Sequence, residues 1–366
     1  MVRYTFDIAS QADDAQLRNV LRHTPMRTSL ATITYESEPS FFQSSCPAGA
    51  DTDVIICRDT VRDVAVGFGC RSIRTMFING EESQIGYLSS LRCIPEYRNQ
   101  GLVARGYRAM RKLHNSTEQP RWYFSTILEG NQLARKLLTS GRAGLPFYHS
   151  VGRFSTFLIP VNAMDKVKVP ETNVDRVESR QVVNEIQALG PQYQLFPVYN
   201  PDGWLQQCEE HYAGKFFVTG KQSARQSVMG VIDQRNVKQL VVKSYPRWLQ
   251  LCQLPLNCWY RMRGQPLIHK PPYDFKYVTA VLPLVDCRAD ANSILTVLKS
   301  VIEEGKQRHA EYVALGMHES HKSYQLVRKL SKHTFDTEVF LVSWQIKQQS
   351  SFGLDGRPLY LELGWL

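Results

Sequence analysis

A strand that passes through one tight turn straight into a helix, at residues 83–105, constrains this chain more than any other feature. Residues 83–93 read as a strand that closes at Pro95. The turn Glu96-Tyr97-Arg98-Asn99-Gln100-Gly101 then leads into Leu102-Val103-Ala104-Arg105. At such a junction the first helix amides lack intrahelical partners and point the same way. The helix dipole adds about half a positive charge there, so the turn suits a diphosphate. Gly101 has no Cβ to hold an anion off the backbone, and Arg98 supplies a fixed cation just before it.

The residues downstream extend the pattern. Trp122-Tyr123-Phe124-Ser125-Thr126-Ile127 reads as a second strand, and Glu129-Gly130-Asn131-Gln132-Leu133-Ala134 opens a helix with Asn131 and Ala134 at helical spacing. Strand, phosphate turn, helix, strand and Asn-x-x-Ala helix together resemble the cofactor-binding half of the GNAT superfamily of acyl-CoA-dependent N-acetyltransferases. The rest of the first 160 residues keeps that fold's order. Residues 3–8 read as a strand, 13–21 as a helix with apolar residues at helical spacing, and 36–42 as a short helix with a proline near its first turn. Strands follow at 53–57, 64–77 and 82–94, with Asn79-Gly80 as a hairpin turn, and two more at 147–149 and 154–160. The fold class expected is α/β, an α+β mixed sheet.

The resemblance implies a set of site residues. In the superfamily, the strand before the turn splays from its neighbour, and its free backbone groups pair with the pantetheine arm. Leu91 and Cys93 hold those positions here. The diphosphate would meet the amides of Gln100, Gly101, Leu102 and Val103, with Arg98 and Asn99 alongside. The family pattern is Arg/Gln-x-x-Gly-x-Gly/Ala. Arg98 and Gly101 match it, and Val103 departs from it with a branched side chain. Asn131 matches the Asn that bonds the cofactor arm, and it also suits a plain helix cap. Arg105, Arg108 and Arg111 would reach a 3′-phosphate or form a solvated helix face. The implied cosubstrate is acetyl-CoA.

Acyl transfer to an amine needs a base for the ammonium and a proton donor for the leaving thiolate. Where many family members carry a Glu on the strand, this chain has Ser89 and Ser90. Where many carry a Tyr on the Asn-x-x-Ala helix, it has Leu138. Three substitutes for catalysis stand out: Ser90 as holder of a water, Tyr148 beside His149 on the next strand, and the carboxylate of Leu366. The tail, residues 356–366, is apolar, unlike a disordered terminus, and some multidomain members of the superfamily use a terminal carboxylate as base.

At 366 residues, with 43% hydrophobic content, the chain is long enough for two cores. The domains expected are residues 1–162 with the acyl-CoA site, a linker at 163–176, and 177–366. The second part repeats the pattern: strands at 216–218, 228–232 and 240–245, then 277–285 as counterpart of the strand before the turn. Asp286-Cys287-Arg288-Ala289-Asp290 replaces the donor turn, and its acids would repel a diphosphate. A helix at 293–304, a strand at 311–315, a helix at 323–330 and a strand at 340–344 complete a degenerate GNAT-like domain in tandem with the first.

The remaining features exclude more than they assign. The eight cysteines show no CxxC pair and read as buried reduced thiols. His318-x-x-His321 has no third ligand nearby, so no metal is expected. The formal charge of +10 is spread along the chain without a block of like charges. Nucleic acid is therefore not an expected partner. Neither an apolar run of about 18 residues nor a signal core appears, so no membrane partner is expected and the cytoplasm is the expected location. The function expected is N-acyl transfer, most simply N-acetylation, from acetyl-CoA to an unidentified small-molecule or protein amine by direct attack. The alternative is a non-catalytic acyl-CoA-binding or scaffold protein.

Overall fold

The computed structural model describes residues 3–28, 30–45, 50–116, 120–165, 167–169, 172–221, 224–346 and 352–366. Cys46, named above among the thiols, lies outside them. The first part contains β1 (Tyr4–Ile8), α1 (Asp14–Arg22), β2 (Met26–Arg27), β3 (Thr32–Glu36), α2 (Phe41–Ser45), β4 (Asp51–Asp59), β5 (Val64–Ile78) and β6 (Glu81–Cys93). Next come α3 (Leu102–Asn115), β7 (Tyr123–Leu128), α4 (Gln132–Leu138) and β8 (Phe147–Pro160). The second part contains β9 (Val174–Val177), α5 (Ser179–Leu189), β10 (Phe196–Pro197), α6 (Trp204–His211), β11 (Lys215–Lys221), β12 (Ala224–Ile232) and β13 (Gln239–Ser244). It ends with α7 (Arg247–Met262), β14 (Tyr273–Asp274), β15 (Tyr277–Val285), α8 (Ser293–Gln307), β16 (Tyr312–His318), α9 (Tyr324–Arg328) and β17 (His333–Ser343).

One mixed sheet runs through both parts in the order β1-β4-β5-β6-β7-β17-β8-β16-β15-β12-β11-β9. Its middle is exchanged between them. β17, from near the C-terminus, pairs antiparallel with both β7 and β8, and β8 pairs in turn with β16. β8 was expected as two short strands. It is one of 14 residues, long enough to serve both neighbours. The expected linker is not free chain either: residues 174–177 form β9 against β11, and Val167 and Val169 pack on the second core.

Helices cover the sheet where their apolar stripes allow. Leu17, Val20 and Leu21 of α1 bury against Val54, Ile56 and Phe68 on one face of β4 and β5. Tyr107 and Met110 of α3 bury against Ile55, Leu88 and Tyr123 on the other. The buried stripe of α8, with Ile294, Leu295, Val297, Leu298, Val301 and Ile302, packs on the face of β11, β12, β15 and β16. The C-terminal segment is no strand but a cover: Phe352, Leu359 and Leu361 close the lower face of β5–β7.

Two expectations change here. Residues 240–245 do form a strand, but β13 leaves the main sheet to pair with β3 and β14 in a second, four-stranded one. Of the seven described cysteines, all free, Cys57, Cys70 and Cys208 are buried, whereas Cys252, Cys258 and Cys287 are exposed. Two of these belong to α7, on which Trp248, Leu251, Leu254 and Met262 face outward while Leu249 is buried.

Candidate functional site

β6 and β7 run parallel through Gly86↔Tyr123, Tyr87↔Phe124 and Leu88↔Ser125, and there their pairing stops. Two anchors pull them apart. β7 stays on β17 as far as Leu128↔Thr337, while β6 follows β5 as far as Cys93↔Gly67. A bulge in β6 starts the divergence. Ser90 has φ +52°, and the register against β5 shifts at that level, which bends the strand. Ile94 N–H donates to Val66 C=O at 2.9 Å. Strand alternation then turns the peptide groups of Leu91 and Cys93 away from β5 and into the opening. Arg98 Nε donates to Cys93 C=O at 3.3 Å, so the cation stands at the mouth.

The turn beyond is open. Asn99 and Gly101 have φ +63° and +70°, and a Cβ on Gly101 would meet nothing within 4 Å. The first α3 bond runs from Arg105 N–H to Gly101 C=O at 3.2 Å, which leaves the amides of Leu102, Val103 and Ala104 without intrahelical partners. The Tyr4 hydroxyl donates to Gln100 Oε1 at 2.5 Å and ties the turn to β1. Val103, the departure from the family pattern, points into the protein. It packs on the core beneath α3 and lines a narrow apolar cavity with Gly106, Tyr107 and Met110, so it does not plug the turn.

Not all the named residues face this mouth with free groups. Asn131 caps α4, its Oδ1 accepting from Ala134 N–H at 3.1 Å. Arg105 donates to Tyr4 C=O at 2.7 Å and lies over Phe6. Arg108 lines a groove with Lys112 between β1 and α3. Arg111 is exposed.

The inner end of the opening is lined by hydroxyls. Ser125 Oγ donates to Leu88 C=O at 2.8 Å, and the Tyr107 and Tyr148 hydroxyls lie 2.6 Å apart. Burial holds Tyr148 well above the ordinary phenol range and pushes Tyr107 up to about 12, so both keep their protons at neutral pH. Tyr148 was named from the sequence. Tyr107 and Ser125 were not, because only the fold brings them to it. Leu138 is buried in the same cluster. His149 is set aside from the group, its Nε2 3.2 Å from Ile346 C=O.

Across the sheet the chemistry differs. Leu91 and Cys93 pack toward α3, so Arg92 between them faces the α1 side, where Tyr35 and Cys70 are its electrostatic neighbours. Tyr87 stacks on Phe124 with ring centroids 4.4 Å apart. The terminus arrives on this face too. The Trp365 ring centroid lies 3.6 Å from Arg74 Cζ of β5, and Leu366 follows it, exposed.

The second half repeats the divergence and then closes it. β15 and β16 pair parallel from Tyr277↔Tyr312 to Ala280↔Leu315 and stop. Leu282 has φ +54° and stands three residues before Val285, as Ser90 stands before Cys93. Here the exposed edge is occupied. The Tyr193 hydroxyl accepts from Val285 N–H at 2.9 Å and donates to Val285 C=O at 2.8 Å. The Glu362 carboxylate accepts from Leu282 N–H at 3.2 Å, from Gly364 N–H at 3.1 Å and from the Tyr360 hydroxyl. Lys322 Nζ donates to Ala289 C=O at 2.7 Å, filling the turn. His318 and His321 are buried, each pushed down to about 4 by burial. No cluster of metal-ligating side chains occurs among the described residues.

No family model and no curated protein matches the chain in sequence. Solved structures do match in shape. An N-myristoyltransferase of Saccharomyces cerevisiae, solved with bound myristoyl-CoA and inhibitors, superposes with a TM-score of 0.60 at 8% identity, covering 93% of this chain and 80% of that one. A tandem GNAT protein from the clavulanic acid biosynthesis pathway gives 0.55 at 9% identity, over 94% of this chain and all of that one. A GCN5-related N-acetyltransferase from Anabaena variabilis gives 0.50 at 10%, over 93% and 72%. With its mixed α/β sheet and its two equivalent strand openings, one accessible and one closed, the chain has the tandem GNAT fold.

Proposed function

We propose that this chain is an acyl-CoA-dependent N-acyltransferase, with acetyl-CoA as the simplest donor and a primary amine as acceptor. One observation carries the reading: β6 and β7 part in front of an unobstructed Gly101 turn, while the equivalent opening in the second half is filled by its own side chains. Leu91 and Cys93 offer backbone groups to a pantetheine arm. The Gly101 turn, the amides of Leu102 and Val103, and the flanking Arg98, Asn99 and Gln100 suit a diphosphate. Asn131 keeps a side-chain N–H₂ for the cofactor arm while its Oδ1 caps α4. The fold shared with N-myristoyl- and N-acetyltransferases supports an acyl donor of this class.

The chain's own groups then divide the proton work. The amine nitrogen attacks the thioester carbonyl carbon, the C–S bond breaks, and the thiolate takes a proton. Tyr148, held protonated beside Tyr107, is the proposed donor. The bulge at Ser90 presents a backbone amide to the developing oxyanion. The Leu366 carboxylate, delivered on the opposite face by the Trp365–Arg74 contact, is the proposed base, and Ser90 would hold a relaying water. The absence of a carboxylate at Ser89 and Ser90 favours the second reading, a non-catalytic acyl-CoA-binding protein. Calorimetry with acetyl-CoA and longer acyl-CoAs tests binding, and thiol release over a panel of amines separates the two. Absence of heat and of thermal shift at millimolar acyl-CoA overturns both.

A further inference from the structure

The α1 face of β6 carries a cation without a counter-ion. Among the described residues, no hydrogen bond or ion pair reaches the Arg92 side chain, and its Nε is buried with no partner. Its electrostatic neighbours are Tyr35 and Cys70, and Tyr35 lies in turn near Tyr277 of the second half. Arg92 therefore faces the seam between the halves, two residues past the bulge and on the side away from α3. Arg92 is half-buried, and a guanidinium whose Nε is sealed from water without a partner lowers its energy by gaining a planar, bidentate anion. We propose that Arg92 reads a carboxylate on the acceptor, so that the acceptor is an amino acid or peptide-like amine. This rests on the transferase reading above and names its substrate class.

The test is a panel of amino acids against their carboxamides, with wild type, Arg92→Met and Arg92→Lys. Wild type should favour the carboxylates at least tenfold in kcat/KM. Arg92→Met should lose that preference through KM with little change in kcat, and Arg92→Lys should retain part of it. Thermal shift gives a readout without turnover: carboxylates should stabilise wild type more than Arg92→Met. Equal treatment of acids and amides by wild type, or an unchanged preference in Arg92→Met, overturns the proposal. Acyl-CoA affinity, measured alongside, must stay the same in the variants. Its absence in wild type would instead be a failure of the transferase reading.

A separate observation points to a surface. α7 holds the body by one mixed side, on which Leu249 is buried and Gln253 Nε2 and Asn257 Nδ2 donate to Ile268 C=O at 2.9 and 2.8 Å. Its apolar side faces out, with Leu251 82%, Leu254 80%, Met262 78% and Trp248 53% exposed. An outward apolar patch of this size marks an interaction surface. Residues 246–272 contain no acid, while Arg247, Arg261, Arg263 and Lys270 are basic. A second copy of the chain would bring like charges together, whereas an anionic bilayer complements both the charge and the Trp–Leu face. We infer that α7 docks in the plane of an anionic membrane surface. Such a helix lies in the interface, so it needs no spanning length, and none of the described helices is long and apolar enough to cross a bilayer.

Sedimentation with vesicles tests it. The protein should bind phosphatidylcholine–phosphatidylserine vesicles at least tenfold more tightly than phosphatidylcholine alone, and added salt should weaken the binding. The double variant Leu251→Gln, Leu254→Gln alters only exposed side chains and should abolish it. No binding to the anionic vesicles overturns the inference. So does a dimer in sedimentation velocity that the double variant dissolves, which would assign the face to a second copy.

Discussion

The two strand openings share a plan and differ in what fills them. Each begins where a parallel pair ends, and each has a left-handed residue three positions before the last strand residue. In the first, Ser125 bonds Leu88 C=O at the inner end and, among the described residues, the edge of β6 beyond the bulge meets Arg98 at Cys93 C=O. In the second, Tyr193 and Glu362 take the same backbone positions. A divergent parallel pair exposes donors and acceptors that must be satisfied when buried. A chain meets that requirement in one of two ways, by leaving the edge for a ligand or by sending in its own polar groups. The second half chose the latter, and the C-terminal segment became part of the plug.

Substitutions sharpen this contrast, starting with the largest. Gly101→Glu places a negative charge at the turn, and acyl-CoA affinity should fall by more than about 100-fold. The φ of +70° adds a strain of about 1 kcal/mol, a small loss in Tm. Calorimetry that finds unchanged affinity would place the ligand elsewhere. Glu362→Gln probes the closed side through pH. Burial, outweighing the hydrogen bonds, holds this carboxyl at about 7 instead of 4.5. Its contribution to stability is therefore full below pH 4.5 and is lost as pH rises through 7, by about 3 kcal/mol. Denaturant titrations from pH 4 to 9 should show that decline in wild type and a flatter profile in the variant.

Tyr193→Phe strips both Val285 groups of their partner and should cost about 2 kcal/mol without creating a second acyl-CoA site. A variant as stable as wild type would mean that the hydroxyl does not hold the opening shut. Tyr148→Phe should lower kcat about tenfold while leaving acyl-CoA affinity intact, because proton donation is a transition-state effect. An unchanged kcat would move the donor role to another group. Smallest is Val103→Ala. Since Val103 packs beneath α3 and not against the turn, affinity for acyl-CoA should change by less than about threefold, and a large gain would show that the branch crowds the phosphate after all.

Much of the first half was legible because its signals are local. A turn with Gly101 at φ +70° and Asn99 at +63° is written in the residue types that tolerate such angles, and the hairpin at Asn79-Gly80 likewise. Tyr148 was visible as an unusual hydroxyl near the acceptor strand. Tyr107 and Ser125 were not, because a Tyr on an amphipathic helix and a Ser in an apolar strand look like any core residue. Asn131 kept both of its readings, and the structure realises the cap. α7 escaped notice because its apolar residues are spread round the helix, Leu249 buried and Leu251, Leu254 and Met262 exposed, and periodicity says nothing about which side is buried.

The succession strand, turn, helix, strand, helix over residues 83–138, and the acids at Asp286 and Asp290 where the second half has no such turn, were readable in the sequence alone, since each depends on neighbours along the chain. The exchange of β17 between β7 and β8, the closing of the second opening by Tyr193 and Glu362, and the arrival of Trp365 over Arg74 were decided only in three dimensions. Those contacts join residues far apart in sequence, and what selects them is the need to satisfy a buried strand edge, a requirement that exists only once the sheet has formed.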